Sequence, residues 1–307
     1  MSEETTNTNN AHLGLELSDF AQAPSMWRVF WNEIVRDKAA LIALFLFIAI
    51  NIAVFALAAT MDPVEARRTN TQARNLPPSE EHFMGTDPVG RDMWNQLILG
   101  ARNSLLIAYG LTAATGAIGV FLGLFSGVKG GHVDNIIMRV VDTWTMLPAF
   151  MIIIVIATVW SVGTPLALMG VLIAFGWAGR TRFLRAVALQ QGSMDYVAAS
   201  KTLGTRNMTI IFREVMPNML STIVVNLVLG LAFNIGIETG LSILGFGLTF
   251  DTPSLGTLIG HSLNPAHMQN RWWLWVPAVI LIVTLTLSIN AVGQALNRAA
   301  DAKRRRA

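Results

Sequence analysis

Residues 195–217 read DYVAASKTLGTRNMTIIFREVMP, and their reading decides how the rest of the chain is arranged. They form the longest polar interval between the later apolar segments and carry Lys201, Arg206 and Arg213. Asp195 is placed to cap a first helical turn, and Val197-Ala198-Ala199-Ser200 gives that helix a face with almost no side-chain bulk. Gly204 follows at the spacing of a left-handed C-cap, and Pro217 starts the next segment. A small-faced helix held outside the lipid between two spans suits a docking lever. A solvated loop fits the same residues equally well.

Composition places the chain in a membrane. Of its 307 residues 53% are hydrophobic and 13% charged, with a mean hydropathy of +0.50; a soluble domain carries roughly 25% charged residues. Net charge is +3 and the isoelectric point about 9.7, but the location of the charges argues against a nucleic-acid partner. There is no cysteine, which excludes disulfides and thiolate metal sites. His12, His82, His132, His261 and His267 show no helical His-x-x-x-His pair and read as surface or loop residues, so no metal site is expected.

Six segments are apolar and near the ~20 residues needed to cross a bilayer. Ala39–Ala59, Ser104–Ser126, Leu220–Thr239 and Trp272–Val292 qualify by length. Leu147–Ser161 and Pro165–Ala178 are shorter and extend back toward Val140 and forward to Phe183, because Arg snorkels to the interface. The expected fold is an all-α integral membrane protein with six transmembrane helices. Ahead of them, Trp27, Phe30, Trp31 and Ile34 recur at helical spacing within 26–38, an interfacial amphipathic helix or an extension of the first span. The expected organisation is a disordered tail at 1–25, the amphipathic helix and first span at 26–60 and an extracytoplasmic segment at 61–103. A five-span core at 104–296, with the small helix at about 195–205, and a basic tail at 297–307 complete it.

Orientation follows from Lys and Arg. With the N-terminus inside, the inner segments hold most of the 22 basic residues, including Arg180, Arg182, Arg185, Lys201 and the terminal KRRR. The outer segments hold Arg67, Arg68, Arg74, Arg91, Arg102 and Arg271. Both termini and the 195–217 stretch then face the cytoplasm, with the terminal run beside anionic lipid.

In that frame the stretch resembles the cytoplasmic loop of ABC-importer permeases that couples to the ATPase. The family pattern is Glu-Ala-Ala, three residues, Gly, nine residues, Ile, any residue, Leu-Pro. Ala198 stands at the Glu position, Ala199 matches, Ser200 replaces Ala, and Gly204 and Pro217 are in register, with Glu214 for Ile and Met216 for Leu. DYVAASKTLG and IIFREVMPN resemble the dipeptide, oligopeptide and nickel branch. So do three further runs: Gly85-Thr86-Asp87, Gly90-Arg91-Asp92 and Gly100-Ala101-Arg102; the inner link with Gly130-Gly131, Asp134, Met138-Arg139, Asp142 and Leu147-Pro148; and Glu238, Leu241-Ser242, Leu244-Gly245 and Gly247. Pro253-Ser254-Leu255-Gly256 carries Leu where the family usually has Trp.

The resemblance, over about 26–296, implies a type I ABC-importer permease fold with an extra N-terminal helix, in a bacterial cytoplasmic membrane. It implies one of two homologous permease subunits, served by an extracytoplasmic binding protein and by two cytoplasmic ATPase subunits that carry ATP and Mg. On that basis Asp195, Tyr196, Ala198, Ala199, Ser200, Gly204 and Pro217 are the candidates for ATPase coupling. Asp87, Arg91, Asp92 and Arg102 are expected to pair and fix the outer segment. Asp134, Arg139, Asp142 and the intramembrane Glu238 are structural or gating candidates. Short peptides are the favoured cargo over nickel or another small solute. With no Gly-Lys-Ser/Thr phosphate loop, the chain itself should bind no ATP and no cofactor, and no enzyme constellation is present. An ion-coupled secondary transporter would show mid-membrane acids and inverted repeats, and no repeat is found. Gly116, Gly119, Gly123, Gly170, Gly230 and Gly236 are expected to be close-packing sites.

Overall fold

The computed structural model describes residues 26–62, 64–160, 163–249 and 251–304; the tail at 1–25 and Arg305-Arg306 lie outside the described residues. The described elements are helices joined by turns, with an isolated β-bridge between Thr86 and Asp92. In chain order they are α1 (Met26–Arg36), α2 (Lys38–Thr60), α3 (Met93–Lys129), α4 (Gly131–Met146), α5 (Ala149–Val159) and α6 (Pro165–Gly192). There follow α7 (Asp195–Thr202), α8 (Asn207–Ile243), α9 (Leu255–Gly260), α10 (Pro265–Asn270) and α11 (Val276–Arg304).

Local chemistry explains the boundaries. Asp37 caps α2 by accepting from the amides of Ala39 and Ala40 at 3.0 and 3.2 Å. Asp92 caps α3 in the same way, accepting from Trp94 and Asn95 at 2.9 and 3.3 Å. Gly130 and Gly131, both at positive φ, end α3 and turn the chain into α4. Thr164 caps α6 ahead of Pro165, whose missing amide is harmless in the first turn.

Four helices, α2, α3, α8 and α11, are long and apolar enough to cross a membrane by themselves. A fifth span results if α4 and α5 are taken together, although they bend by 72° at Leu147-Pro148. The remaining segment of the six expected lies in α6, a 28-residue helix. Arg180, Arg182 and Arg185 dilute its apolar run, so its first turns alone have the character of a span.

The most intimate packing joins α3 to α6. A Cβ on Gly119, Gly123 or Gly127 would lie 2.9, 2.9 and 2.7 Å from the Cβ atoms of Arg180, Leu184 and Ala188. The seam therefore admits no side chain on α3, and the two backbones meet directly. Gly116 and Gly230 are also filled positions, whereas Gly170 and Gly236 meet nothing within 4 Å among the described residues. Those two were expected to be packing sites, but they face away from the described helices.

On the opposite side α1 and α2 clasp α11. Phe30 and Ile34 bury against Val292, Ala295, Leu296 and Ala299, while Trp31 stays 59% exposed. Arg298 of α11 pairs with Asp37 and approaches Glu33 at 3.9 Å. The amphipathic stripe of α1 thus covers the last helix, leaving its opposite face free for lipid.

Replacing Gly123 with Val forces its side chain into Leu184 and the α6 backbone. Overpacking of this kind costs about 1–3 kcal/mol, and the thermal midpoint of the detergent-purified protein should fall by several degrees. Gly170→Ala, at an open position, should leave the midpoint unchanged.

Candidate functional site

Three places collect the singled-out residues: a knob between α6 and α8, a charged seam beneath it, and an outer plug between α2 and α3. The knob is α7. Val197 buries wholly among Leu124, Val128, Leu184, Ala188, Ile210 and Val215, while Ala198, Ala199, Lys201 and Thr202 are exposed and Leu203 at the tip is 85% exposed. One branched side chain therefore fastens an eight-residue helix whose outer face is small. Its end is a complete Schellman motif: Gly204, at φ +77, donates to the Lys201 carbonyl at 3.0 Å, and Thr205 donates to the Ser200 carbonyl at 3.0 Å.

Asp195 does not cap this helix. Met194 occupies the N-cap position with no side-chain bond, and Asp195 is the first helical residue, where its charge faces the positive end of the helix. Tyr196 donates to Gln191 Oε1 at 3.1 Å, and Ser200 donates to Glu214 Oε1 at 2.9 Å, tying the knob to α6 and to the base of α8. Pro217 stands in the first turn of Met216–Ile243, as its sequence position suggests. It lies inside a continuous run from Asn207 to Ile243, just after a π turn at Ile211–Val215. The wider turn re-registers the backbone where proline can neither donate nor tolerate the carbonyl behind it.

The seam below is a set of ion pairs between α4 and α6. Arg185 donates from Nε and Nη2 to the two oxygens of Asp134, each at 2.5 Å, and Ser126 of α3 donates to the same carboxylate. Arg182 pairs with Asp142 and donates to Thr145 Oγ1 at 2.9 Å. Arg139 points outward and makes no ion pair among the described residues. Bidentate pairing of Asp134 fixes the link after α3 to the helix that carries the knob.

In the outer plug, Asp87 and Arg91 are buried and form one unit. Asp87 accepts from the Arg91 side chain at 2.7 Å and from the amides of Val89 and Arg91 at 2.8 Å. Asp92 is the α3 cap and also meets His82 Nδ1 at 3.1 Å. Arg102 was expected to join them, but it makes no ion pair among the described residues, since it lies more than two turns along α3 from this cluster. Trp273 donates to the Thr86 carbonyl at 3.3 Å, and Leu255, at the position where Trp was expected, is fully buried beside it. Glu238 is also fully buried: Ser242 donates to it at 2.8 Å, with the hydroxyls of Ser104 and Ser254 alongside. It ties α8 to α3 at Ser104 and to the α9 cap at Ser254.

An open cleft of about 770 Å³ lies between α3, α5, α6 and α8, lined by Leu111, Phe150, Phe175 and Phe233 with Arg180, Asn226 and Asn234. In the sequence Arg180 carries only an orientation charge. Its signal was arithmetic: α6 brings three arginines against the two aspartates of α4. His261 was likewise read as a loop residue, yet burial holds its pKa down at about 4, with Asp87 pulling it up and His267 and Arg91 pushing it down.

Comparison with known proteins bears on the whole arrangement. Residues 119–306 match the family model described as binding-protein-dependent transport system inner membrane component. The oligopeptide transport system permease protein OppC of Lactococcus lactis is 40% identical over 271 residues, covering 88% of this chain and 92% of that one. The dipeptide transport system permease protein DppC of Bacillus subtilis is 32% identical over 281 residues, covering 90% and 85%. Among solved structures, the MetNI methionine ABC transporter in an inward-facing conformation gives a TM-score of 0.52 at 18% identity, covering 68% of this chain and 97% of that one. At that identity it supports the fold.

A neutral, half-buried His261 is favoured in the folded state, while an unfolded histidine takes up its proton near pH ~6.5. The stability of the outer plug is therefore complete above that pH and is lost as pH falls toward about 4. Thermal midpoints across this window should decline for the wild type and much less for His261→Gln. At neutral pH, Asp87→Ala should cost about 3 kcal/mol by removing the buried partner of Arg91 and leaving it the exposed Asp251 at 3.7 Å. Asp92→Ala should cost about 1 kcal/mol as a lost cap.

Proposed function

The chain belongs to the family of binding-protein-dependent transport system inner membrane components, and from that premise we propose that it forms half of the path through which an ATP-driven importer takes up short peptides. It is a multi-pass component of the inner membrane and, as a transport permease, is not itself a catalyst. The peptide assignment rests on the oligopeptide and dipeptide permeases it resembles over most of its length. In this reading a second homologous permease closes the cleft from the other side. An extracytoplasmic binding protein delivers the cargo, and two cytoplasmic ATPase subunits hold ATP and Mg.

The observation that carries the mechanism is the construction of α7. A helix rooted by buried Val197, closed at its end by Gly204 and faced with exposed Ala198 and Ala199 is a rigid projection with room for another protein to sit on it. Lys and Arg asymmetry supports a cytoplasmic position for this projection and for both termini. Closure of the ATPases would push α7, and the Ser200–Glu214 bond and the Val197 socket would pass the displacement to α6 and α8. Asp195 and Tyr196 shape the start of the lever, and Pro217 with its π turn lets the base of α8 follow. The paired Asp134 and Asp142 keep α4 moving with α6. Glu238 and the Asp87–Arg91 unit hold the outer end still.

Gly204→Pro removes both the positive φ and the amide that closes the lever. In vesicles containing the whole transporter and its binding protein, the variant should reach normal membrane abundance, while uptake of labelled peptide falls to background. Normal uptake would contradict the lever. Uptake of a nickel chelate in place of peptides by the wild type would move the cargo assignment and leave the architecture in place.

A further inference from the structure

A glycine on α8 makes room for one guanidinium, which reaches across to α3. A Cβ on Gly230 of α8 would lie 2.0 Å from Arg180 Nη2, and one on Gly116 of α3 would lie 3.7 Å from Nη1. Arg180 Nη1 is buried and makes no hydrogen bond among the described residues. The other arginines of α6 are neutralised, Arg182 by Asp142 and Arg185 by Asp134. No described carboxylate pairs with Arg180. A cation among apolar helices is costly unless an anion meets it, and the described residues supply none to Arg180.

We propose that Arg180 is the carboxylate-binding residue of the cleft and takes the C-terminal carboxylate of a peptide in transit. The proposal rests on the peptide-import reading. The walls favour cargo over a fixed acid on a neighbouring subunit. The cleft of about 770 Å³ is within the range of ligand pockets, and its sides are Leu111, Phe150, Phe175 and Phe233. Such walls discriminate little between side chains, whereas the terminal carboxylate is common to every unmodified linear peptide. The planar guanidinium matches that group with two parallel bonds. Asn234 donates to Thr112 Oγ1 at 2.7 Å, which leaves its carbonyl oxygen to accept from a peptide amide, and Asn226 lines the same wall. Specificity at this point is for an end of the chain and leaves sequence open.

The test uses the complete transporter in liposomes, with binding protein saturated separately by a tripeptide or by its C-terminal amide, so that selection by the binding protein is removed. Wild type should import the free acid roughly tenfold faster than the amide, the loss expected when a charge-assisted contact disappears. Arg180→Gln should bring the ratio to about one, and Arg180→Lys, which keeps the charge without the fork, should fall between. An unchanged ratio in Arg180→Gln overturns the assignment, as does a wild-type ratio near one. Failure of both variants to co-purify with the second permease would instead make Arg180 half of an inter-subunit ion pair, also contrary to the proposal. If wild type imports neither peptide, the import reading falls and this inference with it.

Discussion

The direct contact of α3 with α6 is the constraint from which the rest of the molecule follows. Glycines at 119, 123 and 127 bring the two backbones together. Dispersion between close-packed helices stands in for the hydrophobic effect, which has no purchase between apolar surfaces already in lipid. The seam ends where Ala188 and Val128 form part of the socket for Val197. The knob is therefore seated on this close-packed joint, the place from which the lever we propose would move α6 and α8.

Charge is distributed in keeping with that mechanical role. Asp134, held by Arg185 and Ser126, fastens α4 to the seam. Asp87 and Arg91 close the outer plug, and Glu238 is held among hydroxyls rather than facing the cleft. Glu238 keeps one oxygen, Oε2, without a hydrogen bond among the described residues, but Asp87, Arg91 and Asp134 are each satisfied within the chain, as buried charges must be. Arg180 alone of the three α6 arginines is not, and it lies against the cleft. Of the α6 arginines, two hold helices together and the third is the one we propose for a ligand.

Much of this was legible in the sequence, for identifiable physical reasons. Apolar length marked the helices, Gly130-Gly131 and Asp92 marked the ends of α3, and Gly204 announced the left-handed cap that the backbone adopts. What was not legible depends on partners distant in the chain. Pro217 does mark the first turn of Met216–Ile243, but the π turn at Ile211–Val215 that joins it to the turn before has no sequence signal. Asp195 has the chemistry of a cap, yet the chain enters the helix one residue earlier, at Met194. Arg102 carries a charge like its neighbours but sits too far along α3 to share their pairings. Six apolar segments suggest six spans, but the bend at Pro148 and the arginines of α6 leave four helices, or five with the bent pair, that qualify by length and composition.

The central claim is that energy released in a neighbouring polypeptide enters the membrane through the exposed alanine face of α7. Because the chain has no cysteine of its own, a single cysteine at Ala199 can be paired with one on the ATPase surface without background. Disulfide formation between them, with transport halted on oxidation and restored by reductant, is the result this account predicts. A cysteine at position 199 that reacts with an impermeant maleimide from outside intact cells, and never with the ATPase, would contradict it.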